Sequence, residues 1–564
     1  RRAVVIVSRP YNGCDPGVSL DLPGKLAKLG VLAIPMDFLD LEGVAARGDR
    51  VFENMYWKYG QRILRAATLI RQDDRLNAIY LSNFGCGPDS FIIGYFKKLM
   101  ASKPALVLEI DEHSADAGVV TRLEAFLESL GNASGCASGQ WRPLYPDRRV
   151  DCGRRTLYIP WMGDAAYALA AAFRACGQPA EVLPLADERT IEVGRQYSSG
   201  KECLPCIITT GDMVKRVSQR GFEPARVAFF MPGGSGPCRF GQYNCMQKLV
   251  LAELGYGDVP VVAPSQDERF YEDFKQFRRD PTRLAWTGIV ACELLGKVRL
   301  ALRAYEAQAG QVDEVYRQWL ERLCRLIETG PQEDQVRRLL AEAAEAFAAV
   351  RLSRQDRPRI GVVGEIYVRC HDFANNRVVR QLESLGAEVA VASFSEWMYY
   401  TNLTRRRWAW RERSWRDWLQ NRLKDRVQRR IEQRLARPLE RLVGPLVEPP
   451  IEHVLMLARP YIHDSFEGEA VLSVGKTVEF CHLGFDGVVN VMPFTCMPST
   501  IVSGLMKKLS EDLGGMPTLS ISYDGQQDPT LQTRLEAFVE QSRVYRRLRR
   551  GKASGPLQLA GSGR

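Results

Sequence analysis

"FGCGPDSFIIGYFKKL" (residues 84–99) and "FTCMPSTIVSGLMKKL" (residues 494–509) align without a gap. Each sets one cysteine, Cys86 or Cys496, in a short turn with a proline two residues on, then a mostly apolar run ending Lys-Lys-Leu. The likeness continues downstream, where "KPALVLEIDEHSADAGVVTRLEAF" (103–126) parallels "MPTLSISYDGQQDPTLQTRLEAF" (516–538) and shares TRLEAF outright. Upstream, "VVIVSRPYN" (4–12) matches "VLMLARPYI" (454–462) and pairs Arg9 with Arg459, two residues expected to buttress the sheet. Each copy reads strand, cysteine turn, helix, strand, acidic loop, helix. That order predicts parallel sheets covered by helices, present as an internal duplication.

A weaker pair lies between these copies. "VAFFMPGGSGPCRFGQYNCMQKLVLAELG" (227–255) resembles "IGVVGEIYVRCHDFANNRVVRQLESLG" (360–386), which pairs Cys238 with Cys370 and Asn244 with Asn376. The expected fold is therefore α/β: two pseudo-repeated lobes of parallel-sheet, Rossmann-like units with helical insertions. The segments are an N-terminal α/β domain over 1–153 and a second α/β domain over 154–290. A helical insertion and linker follow over 291–357, then an α/β unit with an Arg/Trp-rich helix over 358–450. A C-terminal α/β domain over 451–550 repeats 1–130, and 551–564 reads as a disordered tail. The stretch 405–441 carries thirteen arginines against five acidic residues, with Trp408, Trp410, Trp415 and Trp418. Trp415, Leu419, Leu423, Val427, Ile431 and Leu435 recur every four residues, so one helix with a single apolar face packed on the lobes is expected.

Size and composition bound the function. At 564 residues the chain exceeds one core, and its 45% apolar and 26% charged residues are those of a globular protein. No apolar run reaches the roughly 18 residues of a spanning helix, and no secretory signal opens the chain. A cytoplasmic protein without membrane partners is expected. The net charge of +10 is mild for this length, and no nucleic-acid fold signature is present, so no nucleic-acid partner is expected. Fourteen cysteines without an export signal argue for metal or redox chemistry over a disulfide framework.

Six cysteines stand in or beside turns at predicted strand ends: Cys86, Cys203 and Cys206 in "ECLPC", Cys238, Cys370 and Cys496. In parallel sheets, sites gather at the carboxyl ends of strands. Cys292 and Cys324 fall on helical patterns and read as core thiols. The Cys203–Cys206 pair alone leaves open two buried thiols, a redox pair, a zinc knuckle or a cluster site. Only five histidines are present and none has ligand spacing. The duplicated cysteine turns favour all-thiolate ligation, which suits iron–sulfur clusters or zinc. "GEAVLSVGKT" (468–477) resembles a phosphate loop but has Ala470 where the first glycine is required. For proton delivery the candidates are Glu365 and His371, with Tyr367, Asp372 and His463 behind them.

"GRQYSSGKECLPC" (194–206), "GPCRFGQYN" (236–244), "FGCGPDSF" (84–91), "GEIYVRCHDFANN" (364–376), "FTCMPST" (494–500) and "SRPYNGCDPGVSLDLPGKLAKLG" (8–30) have a further reading. Together they resemble the 2-hydroxyacyl-CoA dehydratase / benzoyl-CoA reductase superfamily, and within it the long fused acyl-CoA dehydratase activase-related branch, kin to double-cubane cluster proteins. The resemblance covers most of the chain. It implies a cluster in a cleft between α/β lobes, either a double-cubane [8Fe-9S] cluster on six cysteines or a single [4Fe-4S] cubane. Cys86, Cys203, Cys206, Cys238 and Cys496 match the motifs, and Cys370 joins them through the internal repeat. It further implies an ATP-hydrolysing activase as electron donor, upstream in the same polypeptide or on a separate chain, and a small-molecule or acyl-CoA substrate. A homodimer is one assembly it allows. An electron relay or scaffold without its own substrate, or a zinc-stapled structural protein, are the competing readings.

Overall fold

A computed structural model describes residues 3–44, 54–101, 103–132, 152–264, 277, 279–353 and 355–553. Cys136 and the expected disordered residues after 553 lie outside them. The chain is α/β, with three four-stranded sheets whose strands all pair in parallel. The first sheet holds β1 (Ala3–Val7), β2 (Leu32–Pro35), β3 (Leu76–Asn83) and β4 (Ala105–Ile110), in the order β2-β1-β3-β4. The second holds β5 (Thr156–Ile159), β6 (Ala180–Val182), β7 (Val227–Phe230) and β8 (Val261–Val262), in the order β6-β5-β7-β8. The third holds β9 (Arg359–Gly364), β10 (Glu388–Val391), β11 (Gly487–Pro493) and β12 (Thr518–Tyr523), in the order β10-β9-β11-β12. One topology thus occurs three times. Central strands such as β1 and β7 are buried along their whole length, which is why they read as continuous apolar runs.

The outer repeat holds where it is strongest. β3, the Cys86 turn and the helix Gly87–Met100 correspond to β11, the Cys496 turn and the helix Met497–Asp512. The residue before each cysteine has positive φ, 70° at Gly85 and 60° at Thr495. Upstream the repeat fails. "VLMLARPYI" is not a strand: Ile451–Ala458 is a helix that packs on the helix Glu469–His482. They approach at Gly475, where a Cβ would collide with the Val454 carbonyl. The place of β1 in the third sheet is taken by β9, so the segments separated at 450/451 contribute two strands each to one sheet. The inner pairing fails too. β7 is third in its unit and β9 first in its own, so Cys238, after β7, corresponds to Cys86 and Cys496, and Cys370 does not.

Between the second and third sheets lies a helical layer, Thr282–Arg303, Gln311–Glu328 and Glu333–Ala348, whose apolar faces join the largest core. Cys292 belongs to this core and Cys324 packs against it. The Arg/Trp stretch is a hairpin, not one helix. Phe394–Arg411 and Trp415–Val443 are separated at Arg413, whose φ of 58° ends the first helix. Its apolar stripe is split: Ile431 and Leu435 are buried, but Trp415, Leu419 and Leu423 are exposed and do not pack on the lobes. Among the described residues no helix is long and apolar enough to cross a membrane.

Candidate functional site

In a sheet of order 2-1-3-4 the chain reverses direction across the sheet between its first and third strands, and loops leaving those strands border a crevice. All three units aim these loops at one place. Cys86 follows β3, Cys238 follows β7, Cys496 follows β11 and Glu365 follows β9. The Cys86 and Cys496 turns face each other, since a Cβ on Gly85 would lie 3.4 Å from Thr495 Cγ2.

The cysteines share a local device. Cys86, Cys203 and Cys496 are each the N-cap of an α-helix, and Cys238 is the N-cap of the 3-10 turn Arg239–Gln242. All four have extended backbone, and no side chain caps the helix. Prolines in the first turn of the three α-helices, Pro88, Pro205 and Pro498, suit a position whose N–H has no intrahelical partner. An N-cap sulfur sits at the positive end of the helix dipole, which favours thiolate. Cys206 lies one turn into the helix Leu204–Val217 that Cys203 caps. Ahead of the pair, Ser199 donates its backbone N–H to Glu202 (3.0 Å), which closes the Gly200 turn.

Arg239 joins the three units. It is buried, with Nη1 donating to Ser90 Oγ (3.3 Å) of the first unit and to the Lys201 carbonyl (3.2 Å) of the second. Nη2 donates to the carbonyl and hydroxyl of Thr495 (3.0 and 3.1 Å) in the third. Burial works against its charge, but Cys203, Tyr243, Cys496 and Cys238 around it hold its pKa above the ordinary value. The thiols feel the opposite. Burial pushes Cys203, Cys206 and Cys238 up, and Cys496 up to about 12. Even with Arg239 beside them these thiols stay neutral, and direct metal ligation is what would ionise them. The Tyr243 hydroxyl lies 2.6 Å from Cys203 Sγ. Tyr56 Oη donates to the Cys238 carbonyl (2.8 Å), pinning that loop to the first unit.

Cys370 stands differently. It ends the short helix Ile366–Cys370 and packs against Gly163. Glu365 is the shared element, a charge neighbour of Cys203, Cys370 and Cys496 alike. Glu365 accepts from Val368 N (2.8 Å), and Glu469 accepts from Ile366 N (2.9 Å). Burial, then the repulsion of Glu365, raises Glu469 to about 8, so it holds a proton at neutral pH. His371 does not face this group as an acid. It is boxed by Trp161 and Tyr367, each with ring centroids 4.8 Å away, and Ala374 N donates to its Nδ1. Burial lowers its pKa to about 4, which leaves the imidazole neutral. The Lys476 of the phosphate-loop-like stretch lies inside a helix, ion-paired to Glu448 (2.7 Å) and Glu479 (3.1 Å), and is committed to the core.

Sequence reasoning missed Arg239 and Glu469. Arg239 had a signal, an arginine directly after Cys238 in a glycine-rich loop. Glu469 had none, because it meets the cysteines only through the fold. Among the described residues no three His, Cys, Asp or Glu side chains stand close enough to share a single metal ion. The donor set suits a larger all-thiolate cluster in its chemistry: cysteines at helix N-termini, backbone N–H groups beside them and one guanidinium among the sulfurs. Compared with known proteins, the chain matches no family model and no curated protein.

Proposed function

We propose that this chain is an iron–sulfur reductase or dehydratase-type component that takes low-potential electrons from an ATP-hydrolysing activase and reduces a small-molecule or acyl-CoA substrate. The observation that carries the reading is one buried arginine with the N-cap cysteines Cys203, Cys238 and Cys496 of two α/β units around it, hydrogen-bonded to Ser90 in the helix that Cys86 caps in the first unit. Cys86, Cys203, Cys206, Cys238 and Cys496 would hold the cluster, one more thiolate than a single cubane takes, which favours the double cubane with Cys370 as the sixth. Bound there, such a cluster supplies single electrons at low potential.

The chain's own groups do the rest. Arg239 offsets negative charge among the sulfurs and ties the three cysteine-bearing units together. Tyr243 hydrogen-bonds Cys203, and hydrogen bonds to sulfur tune a cluster's potential. Glu469 carries a proton at neutral pH beside Glu365, which makes this pair the proton source. Phe84 and Phe494, exposed two residues before Cys86 and Cys496, give the mouth of the site an apolar rim. The test is anaerobic purification with iron and acid-labile sulfide counts, and EPR after reduction. Iron and sulfide matching two cubanes per chain, with low-potential signals, supports the reading. A folded, colourless protein holding zinc or no metal overturns it.

A further inference from the structure

The hairpin of Phe394–Arg411 and Trp415–Val443 presents a face that the site does not use. The long helix buries Asp425, Gln428, Ile431, Leu435 and Leu439 against its neighbours. Its opposite side carries Trp415, Leu419 and Leu423, each about three-fifths exposed, and Val427 at 42%. These four step by four residues over about 18 Å of the axis, and since four residues overshoot a turn of 3.6 the strip winds about 120° around the helix. At the hairpin tip Trp410, itself 58% exposed, packs edge-on against Trp415 at 5.0 Å. Exposed Arg416, Arg422, Arg426 and Arg430 flank the strip, and none of them makes an ion pair among the described residues. The exposed carboxylates near the tip are Glu412 and Asp417, and Asp417 accepts from Ser414. Beside the strip, Arg406, Arg407, Arg411, Arg422, Trp410 and Trp418 line a cleft of about 440 Å³ together with Asp464; Arg407 pairs with Asp464 at 2.8 Å and Arg406 with Glu452 at 2.7 Å, which leaves Arg411 and Arg422 without an ion pair among the described residues.

We propose that this face binds an anionic lipid surface, the long helix lying in the plane of the interface and the arginine cleft accepting headgroup phosphate. The chemistry matches point for point. An apolar strip on an outward-facing helix enters the headgroup–acyl boundary, indoles settle at that depth, and arginines reach back to phosphate. A symmetric contact with a second copy would set arginine against arginine, so the face is not self-complementary. The contact is peripheral, since no described helix can span the bilayer. Attachment would hold an electron-transfer component at a membrane without a spanning segment.

The test is flotation of the full chain with vesicles of pure phosphatidylcholine, or of an equimolar mixture of phosphatidylcholine and phosphatidylglycerol. Binding to the anionic vesicles is expected to be stronger by at least about tenfold, and to fall by a similar factor when salt rises from about 0.1 to 0.5 M. The double variant Leu419→Ser/Leu423→Ser removes apolar insertion at exposed positions, so it folds as the wild type by circular dichroism and loses vesicle binding. Arg422→Gln/Arg426→Gln keeps the strip and lowers the preference for anionic vesicles about tenfold. Equal recovery on both vesicles, no binding to either, or undiminished binding by the serine variant overturns the proposal. A concentration-dependent mass increase in light scattering that the serine variant abolishes, with no vesicle binding, assigns the face to a protein contact instead.

Discussion

"VVIVSRP" and "VLMLARP" differ at four positions, and one begins as a strand while the other begins as a helix. The first copy, β1, is built of valine and isoleucine, whose branched Cβ atoms stiffen χ1 and favour extended backbone. The second replaces them with leucine, methionine and alanine, which lose little freedom in a helix. Its counterpart position in the sheet was already open to β9, so nothing forced it into the sheet. Downstream, the cysteine turns of the same two copies agree in kind, down to positive φ before the cysteine and a proline two residues after it. The difference teaches that the duplicated element with a geometric duty kept its form. The element that only had to be apolar did not.

Four tests would break or sharpen this contrast. The largest effect is expected from Arg239→Met, because Arg239 reads both copies at once, through Ser90 and Thr495. Losing it leaves the buried Ser90 hydroxyl and the half-buried carbonyls of Lys201 and Thr495 without this partner and costs about 3 kcal/mol in urea unfolding. Arg9→Met, which leaves the buried Asp89 without its cation inside the first unit alone, should cost about 3 kcal/mol as well. An unchanged urea midpoint for Arg239→Met would mean that Arg239 is no junction. Next, Gly475→Val should cost about 2 kcal/mol by forcing the Ile451–Ala458 helix off its neighbour. An unchanged unfolding midpoint would contradict the helix assignment for the second copy.

Third, only the third unit sets a buried, protonated carboxyl beside the cysteines. Glu469 binds its proton more tightly folded, at about 8, than unfolded, at 4.5. Its stabilising contribution is therefore complete below about pH 4.5 and is lost as pH rises to about 8. Melting curves across that window should show wild type losing stability more steeply with rising pH than Glu469→Gln; parallel pH profiles would remove Glu469 as proton holder. Smallest are Gly94→Ala and Gly504→Ala, aligned positions in the two helices after the cysteines, each with open space at its Cβ. Each should stabilise by about 0.5–1 kcal/mol. Unequal signs would show that the two helices are less alike than their sequences.

The sheets, the cysteine turns and the helical layer were legible because local pattern decides them: strand-length apolar runs, proline after cysteine, leucine and alanine at helical spacing. The Ile451–Ala458 helix was not, since a short apolar run serves either state and packing against Gly475 selects between them. Cys370 was paired with Cys238 on sequence likeness, but position within the sheet order is set by which strands find each other. Arg239 reaches the third unit through contacts 255 to 256 residues distant in sequence, and Glu469 reaches Ile366 across 103 residues; these contacts leave no local mark. The exposed half of the tryptophan stripe had helical periodicity indistinguishable from the buried half, because periodicity marks an apolar face and not what covers it.

The third sheet has a consequence for how the chain is made. β10 ends at Val391 and β11 begins at Gly487, so half of this sheet leaves the ribosome well before the other half. At about 5–20 residues per second the wait is roughly 5–20 s. Through that interval β9, whose Ile360, Val362 and Val363 are fully buried in the finished protein, has no β11 to pair with. The nascent chain carries an open parallel edge longer than either of the other units does. The hairpin and the helices that emerge during the wait are the shelter at hand, and shortening or loosening them should lower soluble yield before it lowers the stability of molecules that finish folding.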